Sequence, residues 1–202
     1  MCLRKSSDEI YNLLDSLFPN AKCELNYKNN YELLLSVVLS AQTTDVSVNR
    51  VTKDLFLNYP TPESLASAKI EDVKNIIKSI GLANTKAKNI IGLAKALVTE
   101  YDGNVPCDID YLMKLPGVGR KTASVVLVEG FKIPAIPVDT HVFRVCSRLG
   151  ISDGSSIEKT EYDIRAKFSE DKLCHLHHLL IHFGRYICKA KNPECDKCPF
   201  KD

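Results

Sequence analysis

The chain has 202 residues, 45% hydrophobic and 26% charged, which is ample for a packed core and fits one large domain or two small ones. A formal net charge of only +2 says little about partners for the molecule as a whole. No apolar run approaches the roughly 20 residues needed to span a bilayer, and the start, Met-Cys-Leu-Arg-Lys-Ser-Ser-Asp-Glu, has no apolar segment after its basic pair, so neither a membrane protein nor a secreted one is expected.

Helical periodicity with short, punctuated connections runs through most of the sequence. Tyr31-Glu-Leu-Leu-Leu-Ser-Val-Val-Leu-Ser-Ala-Gln42 is apolar almost all round and predicts a buried central helix. Asp45 is placed to cap a helix carrying Val46, Val51, Leu55 and Phe56. Thr61-Pro-Glu and Ile70-Glu-Asp open two short helices, the first with proline just inside its start. From Asn84 to Leu97 apolar residues recur at helical spacing (Ala87, Ile90, Ile91, Leu93, Ala94, Leu97). Asp108 to Lys114 and Arg120 to Glu129 form a helix pair around a tight turn. Ile133-Pro-Ala-Ile-Pro-Val-Asp139, with two prolines, is too broken for a helix and reads as an extended crossing segment and a domain boundary. Helices resume at Thr140 to Leu149, Ser156 to Phe168 and Asp171 to Tyr186. Glycine turns at Gly81 and at Gly117/Gly119 suggest a loose duplication of helix-turn-helix units. The expected fold is all-α, in two helical lobes.

Leu115-Pro-Gly-Val-Gly-Arg-Lys-Thr-Ala123 is the sharpest local signal. Pro116 presets φ at the first turn position and Gly117 permits a positive φ at the next. Gly119 removes a side chain where something large approaches the backbone. A helix follows at once, so its unbonded N–H groups and its positive dipole end can receive a phosphate. A plain αα-hairpin turn is the alternative. The Arg120-Lys121 pair favours a ligand, because it puts cations at the helix end that disfavours them. Six cations between positions 114 and 148 (Lys114, Arg120, Lys121, Lys132, Arg144, Arg148) face only Glu129 and Asp139, a candidate phosphate-facing stretch or an ordinary solvated face.

The helix dipole, Arg120 and any burial all work against an ammonium at Lys121 and favour the neutral amine, the form that attacks carbon. Asp139 lies at the start of the next helix, as a plain cap or as a carboxylate facing Lys121 across a cleft between lobes. In the second role it would take a proton from the lysine and stabilise the cationic sugar formed as a base departs.

Four separated motifs now stand in order: Leu39-Ser-Ala-Gln-Thr-Thr-Asp45, Ile80-Gly-Leu-Ala-Asn-Thr-Lys-Ala87, the run from Leu115 to Ala123, and Val138-Asp-Thr-His-Val-Phe-Arg144, followed by a terminal cysteine cluster. From about Tyr11 to the end the chain resembles the endonuclease III family of DNA glycosylases, in the helix-hairpin-helix superfamily. The resemblance implies a six-helix domain with the helix-hairpin-helix over residues 22–132. A second helical domain, over 1–21 and 133–202, carries the C-terminal cysteine loop, with a DNA cleft between the two. It implies a bifunctional glycosylase and abasic-site lyase of base excision repair, acting as a monomer on double-stranded DNA with damaged pyrimidines or abasic sites.

By motif, Lys121 resembles the Schiff-base nucleophile and Asp139 the catalytic carboxylate. Gln42 and Leu82 resemble the residues that fill the gap left when a damaged nucleotide is flipped out. On position alone these two would be an exposed helix end and a loop leucine. Gly117, Val118, Gly119 and Arg120 form the phosphate turn, and His141 lines the cleft. The adenine-mismatch branch of the superfamily lacks the lysine, so Lys121 implies the lyase-competent branch. The expected location is the cytoplasm, on the nucleoid in a prokaryote, or the nucleus of a eukaryote.

Of eight cysteines, Cys2, Cys23, Cys107, Cys146 and Cys174 are scattered singly, as small buried hydrophobes usually are in a reducing compartment. Cys188-x6-Cys195-x2-Cys198 has the spacing of an iron–sulfur loop. A [4Fe-4S] cluster ordinarily takes four thiolates. The family's fourth cysteine would fall at position 204, beyond Asp202. A sequence that stops short of that ligand is the favoured explanation, ahead of a three-iron or otherwise completed cluster and of an empty or zinc site. Such a cluster would hold the loop of Lys189, Lys191 and Lys197 against a DNA backbone. Two other functions are set against the enzyme. A non-catalytic DNA-binding module has no need of a destabilising lysine at a helix start, and an electron-transfer protein leaves the large helical body without a purpose.

Overall fold

The computed structural model describes residues 5–201 and contains eleven α-helices, one 3-10 turn and, among the described residues, no β-strand. No helix in this span is long and apolar enough to cross a membrane. The chain divides into two compact units. The central unit comprises Glu24–Lys132, and the terminal unit joins residues up to Cys23 with those from Ile133 onward.

The central unit is built around α2 (Asn30–Leu39), in which every residue from Tyr31 to Leu39 is buried. A helix apolar on all faces is stable only when surrounded, and α3 (Asp45–Asn58), α6 (Ala83–Glu100) and α8 (Arg120–Phe131) pack on it. Each fully buried leucine or isoleucine here contributes about 1.5–3 kcal/mol relative to exposure. Two polar groups enter this core with partners. The Glu32 carboxylate accepts from the Lys28 N–H at 2.7 Å, and the Tyr31 hydroxyl donates to the Thr61 carbonyl at 3.2 Å. The latter bond ties α2 to the cap of α4 (Pro62–Ala66), whose Thr61 and Ser64 form a capping box with proline in the first turn. α5 (Ile70–Ile76) and α7 (Ile109–Lys114) complete the unit.

Two local expectations need correction. The α3 cap is Thr44, whose hydroxyl accepts from the Ser47 N–H, so Asp45 is the first helical residue. Val46 is 71% exposed and Phe56 half-buried, and the buried stripe is Val48, Val51, Thr52 and Leu55. The central helix also ends earlier than its apolar run, at Leu39, leaving Gln42 in a turn.

In the terminal unit, α1 (Ser7–Leu17), α9 (Thr140–Arg148), α10 (Ile157–Lys167) and α11 (Glu170–Tyr186) enclose a core of Ile10, Leu14, Val142, Val145, Cys146, Ile164, Leu176, Leu180 and Phe183. Phe200 closes it, edge-on to Phe183 at 5.5 Å. Lys132 ends α8 in a left-handed conformation, and residues 133–139, with their two prolines, form no regular secondary structure. The scattered cysteines are not uniformly buried. Cys146 is, and burial pushes its thiol up to about 12, leaving it inert. Cys23 and Cys174 are half-buried and Cys107 is exposed, while Cys2 lies outside the described residues.

Candidate nucleic-acid interface

In the central unit, Asp108 starts the hairpin by capping α7, its Oδ1 accepting from the N–H groups of Asp110 and Tyr111 at 2.9 and 3.2 Å. After Lys114 the chain folds back in a four-residue turn closed by Val118 N–H to the Leu115 carbonyl at 3.1 Å. Pro116 and Gly117 occupy its centre and Gly117 has φ +78°, the geometry of a type II turn. A Cβ there would adopt a disfavoured backbone state and stand 2.8 Å from the Asn89 amide nitrogen. Leu115 and Val118 are buried and anchor the turn, so Val118 can offer a ligand only its main chain.

Gly119 is different in kind. Its φ is −94° and a Cβ would meet nothing within 4 Å, so neither conformation nor internal packing requires glycine. It stands at the N-cap of α8 without a side-chain cap, and no acidic residue occupies the first turn. By contrast α1, α3, α5 and α7 all carry acids there. Arg120 and Lys121, both exposed, occupy that turn instead. Each cation at this end costs a few tenths of a kcal/mol, up to about 1. The burial considered for Lys121 is absent.

Gln42 and Leu82, also in the central unit, share a property the sequence does not display. Both have left-handed backbones, φ 54° and 60°, and both side chains are exposed, Leu82 by 60%. For residues with a Cβ this conformation costs about 1–3 kcal/mol each, and such strain concentrates where function holds it. Leu82 is the N-cap of α6 and makes no side-chain cap bond. Lys86, in the first turn of that helix, is only 4% exposed, and its Nζ donates to Thr43 Oγ1 at 2.7 Å. Burial pushes its ammonium below the usual lysine range. Sequence reading passed over Lys86, although it sits four residues before Ile90 on the same buried stripe.

In the terminal unit, Asp139 is the N-cap of α9, its Oδ1 accepting from the His141 and Val142 N–H groups, each at 2.8 Å. The capping role is therefore real, and it occupies one carboxylate oxygen in these two bonds. His141 is half-buried, and burial pushes its imidazole below the usual range, aided by Arg144 and Arg185 against the pull of Asp139. Its Nδ1 lies 3.2 Å from Arg144 Nη2, so the neutral ring accepts there.

The expected cationic stretch runs from Lys114 to Arg148. Its members are split between the two units. The Arg144 guanidinium is spent on the carbonyls of Thr140, Gly184 and Cys188, and Arg148 donates to the Lys189 carbonyl at 2.8 Å. These two arginines clamp α9 to the end of α11. Lys114 lies over the Tyr111 ring. In the cysteine loop, Lys189 and Lys197 both pair with Glu194, at 2.5 and 2.6 Å, and hold its carboxyl down to about 2. Of the loop's expected phosphate contacts, Lys191 and Lys197 are both exposed, Lys197 by 73% of its side chain.

The same loop carries the three clustered cysteines. Cys188 and Cys198 are half-buried against the terminal core and Cys195 is exposed. Cys188 Sγ accepts from Arg148 Nη1 at 3.4 Å. Among the described residues no group of three His, Cys, Asp or Glu is gathered to hold a metal ion. Three thiols that do not converge do not fit a four-thiolate cluster as they stand.

Residues 35–170 match the family model of the HhH-GPD superfamily base excision DNA repair protein. The chain is 51% identical to endonuclease III of Rickettsia conorii over 96% of its own length and 93% of the relative's. It is 49% identical to endonuclease III of Bacillus subtilis, over 98% and 87% respectively. A solved structure of a trapped endonuclease III–DNA covalent intermediate superposes with a TM-score of 0.92 at 45% identity, covering 99% of this chain and 94% of that one. The chain thus belongs to the HhH-GPD superfamily of base excision DNA repair proteins and, within it, to the endonuclease III family of DNA glycosylase/AP lyases.

Proposed function

We propose that this enzyme binds duplex DNA as a monomer, excises oxidised pyrimidines and cuts the strand through a Schiff base on Lys121. The observation that carries the reading is an exposed lysine in the first turn of a helix without a side-chain cap, directly behind a type II turn and an N-cap Gly119 that faces open space. Backbone N–H groups at that helix end take a phosphate of the damaged strand, with Arg120 beside it. Gln42 and Leu82 occupy the stack vacated by the flipped nucleotide. Related solved endonuclease III structures, 45% identical to this chain, are complexes with DNA, which supports a DNA substrate.

The neutral Lys121 amine attacks C1′ while the C1′–N bond to the base breaks and the base leaves with its electron pair, to be protonated. Asp139 takes the proton released by the lysine and offsets the positive charge developing on the sugar. Ring opening gives the iminium. Loss of a C2′ proton then expels the 3′ phosphate, and water releases the unsaturated aldehyde end from Lys121. His141 and Lys191 contribute contacts to DNA. For Cys188, Cys195 and Cys198 to hold a [4Fe-4S] cluster they would have to converge and gain a fourth thiolate, and such a cluster would be structural and take no part in base removal.

The test is incision of a duplex containing one thymine glycol, with products resolved by length. A strand cut without alkali and bearing an unsaturated aldehyde end is expected; an abasic strand cut only by alkali would reject the lyase step.

The two turn glycines separate folding from binding. Gly117→Ala should lower stability by about 1–2 kcal/mol, the cost of a left-handed alanine. Gly119→Ser supplies a capping hydroxyl and should leave the melting temperature unchanged or slightly higher. It puts a side chain where the phosphate approaches, so DNA affinity should nevertheless drop. Normal DNA binding by Gly119→Ser, measured by fluorescence anisotropy, would remove the phosphate turn from the proposal.

A further inference from the structure

Lys86 is bonded to the two turns that hold the left-handed Gln42 and Leu82. Its own N–H donates to the Leu82 carbonyl at 2.9 Å, the first hydrogen bond of α6. Its Nζ donates to Thr43 Oγ1 at 2.7 Å, on the residue directly after Gln42. Thr43 is in turn held to the end of α2, its N–H donating to the Ser40 carbonyl at 3.0 Å. Among the described residues no other side-chain hydrogen bond joins the 40–44 turn to α6, and the Leu82 side chain makes no cap bond. A buried lysine whose charge meets a threonine hydroxyl makes a poor contribution to stability, since an ammonium taken out of water against a neutral acceptor is not repaid by Coulomb attraction. Fixing the spacing of the two turns is a use for it that stability alone does not provide.

We propose that Lys86 is a positioning residue, bracing the 40–44 turn against the start of α6 so that Gln42 and Leu82 enter the DNA stack as one rigid pair. The inference rests on the reading that those two side chains fill the vacated stack. Two exposed residues on separate turns can enter a gap of fixed size only if the distance between them is set beforehand, because ordering them on binding would weaken insertion. The Lys86–Thr43 bond removes that freedom in the unbound enzyme. Lys86 itself touches no reacting atom.

The experiment uses Lys86→Met, which keeps the aliphatic stem, and Thr43→Val, which keeps the shape and removes the acceptor. The readout is the ratio of borohydride trapping rates on an abasic duplex and on the same abasic strand alone, which has no opposing stack to fill. Each substitution should lower that ratio about 10-fold, the scale of a hydrogen bond to a charged group. The double variant should be no worse than either single one, and Thr43→Ser, which restores the oxygen, should recover the ratio. Melting temperature should hold or rise in Lys86→Met, so the effect is not loss of fold. Independent, multiplying losses in the double variant, or an unchanged ratio in Lys86→Met, would overturn the brace. Gln42→Ala and Leu82→Ala serve as the reference. If they are impaired while Lys86→Met is not, the gap-filling reading stands and the brace fails. If they keep the parental ratio, the gap-filling reading itself fails.

Discussion

Lys121→Ala should yield no covalent adduct when the enzyme is mixed with duplex DNA carrying an abasic site and reduced with borohydride. The parent protein should trap efficiently. Base removal from a thymine glycol duplex should fall by at least about 10³-fold, since loss of a covalent nucleophile removes a reaction path rather than a contact. Stability should move the other way. Lys121 is exposed at the positive end of α8 beside Arg120, and alanine relieves that repulsion and favours the helix. Solvent screening limits the gain to a few tenths of a kcal/mol. A variant that is slightly more stable, still binds DNA and forms no adduct is the signature of a residue retained for chemistry. Trapping that survives in Lys121→Ala would move the nucleophile elsewhere, and a destabilised, non-binding variant would make Lys121 a phosphate contact.

The hairpin was legible because each of its devices has a one-residue cause: proline for the first φ, glycine for the second, Asp108 for the cap ahead of it. The all-helical fold was equally legible, through apolar spacing that repeats every three or four residues. What stayed hidden was conformational or long-range. Nothing in Gln-Thr-Thr or Gly-Leu-Ala announces a left-handed Gln42 or Leu82, because only glycine or asparagine would normally signal that state. Charge counting over positions 114–148 misread Arg144 and Arg148. An arginine facing three backbone carbonyls and one facing a phosphate look identical in sequence. Glu194 likewise pairs with Lys189 and Lys197, a pairing that counting charges along the loop does not show. The cap of α3 was displaced by one residue because Thr44 and Asp45 are both good caps and only backbone geometry chooses between them.

Asp139 poses the sharper experimental problem, since capping α9 and assisting Lys121 would each explain its presence. Asparagine and aspartate are nearly equivalent N-caps, because the side-chain oxygen that accepts the two N–H groups survives the exchange. Asp139→Asn therefore removes the negative charge and the proton acceptor while leaving the helix start intact. Base removal under single-turnover conditions should slow about 10²–10⁴-fold, the range for loss of a general base, with little change in melting temperature or DNA affinity. Asp139→Ala should lose that activity and also about 1 kcal/mol of stability, the ordinary worth of a cap. The difference in melting temperature between the two variants measures the cap, and their shared loss of rate measures the carboxylate. Near-parental turnover in Asp139→Asn would leave Asp139 as a helix cap alone, and the proton from Lys121 would then need another acceptor. The abasic substrate refines the comparison. There the base is already gone, so the carboxylate has no departing group to offset and only the lysine's proton to receive. Asp139→Asn should accordingly trap on abasic DNA with a much smaller defect than it shows on thymine glycol. Equal defects on both substrates would place the role of Asp139 in activating Lys121 rather than in stabilising the sugar cation.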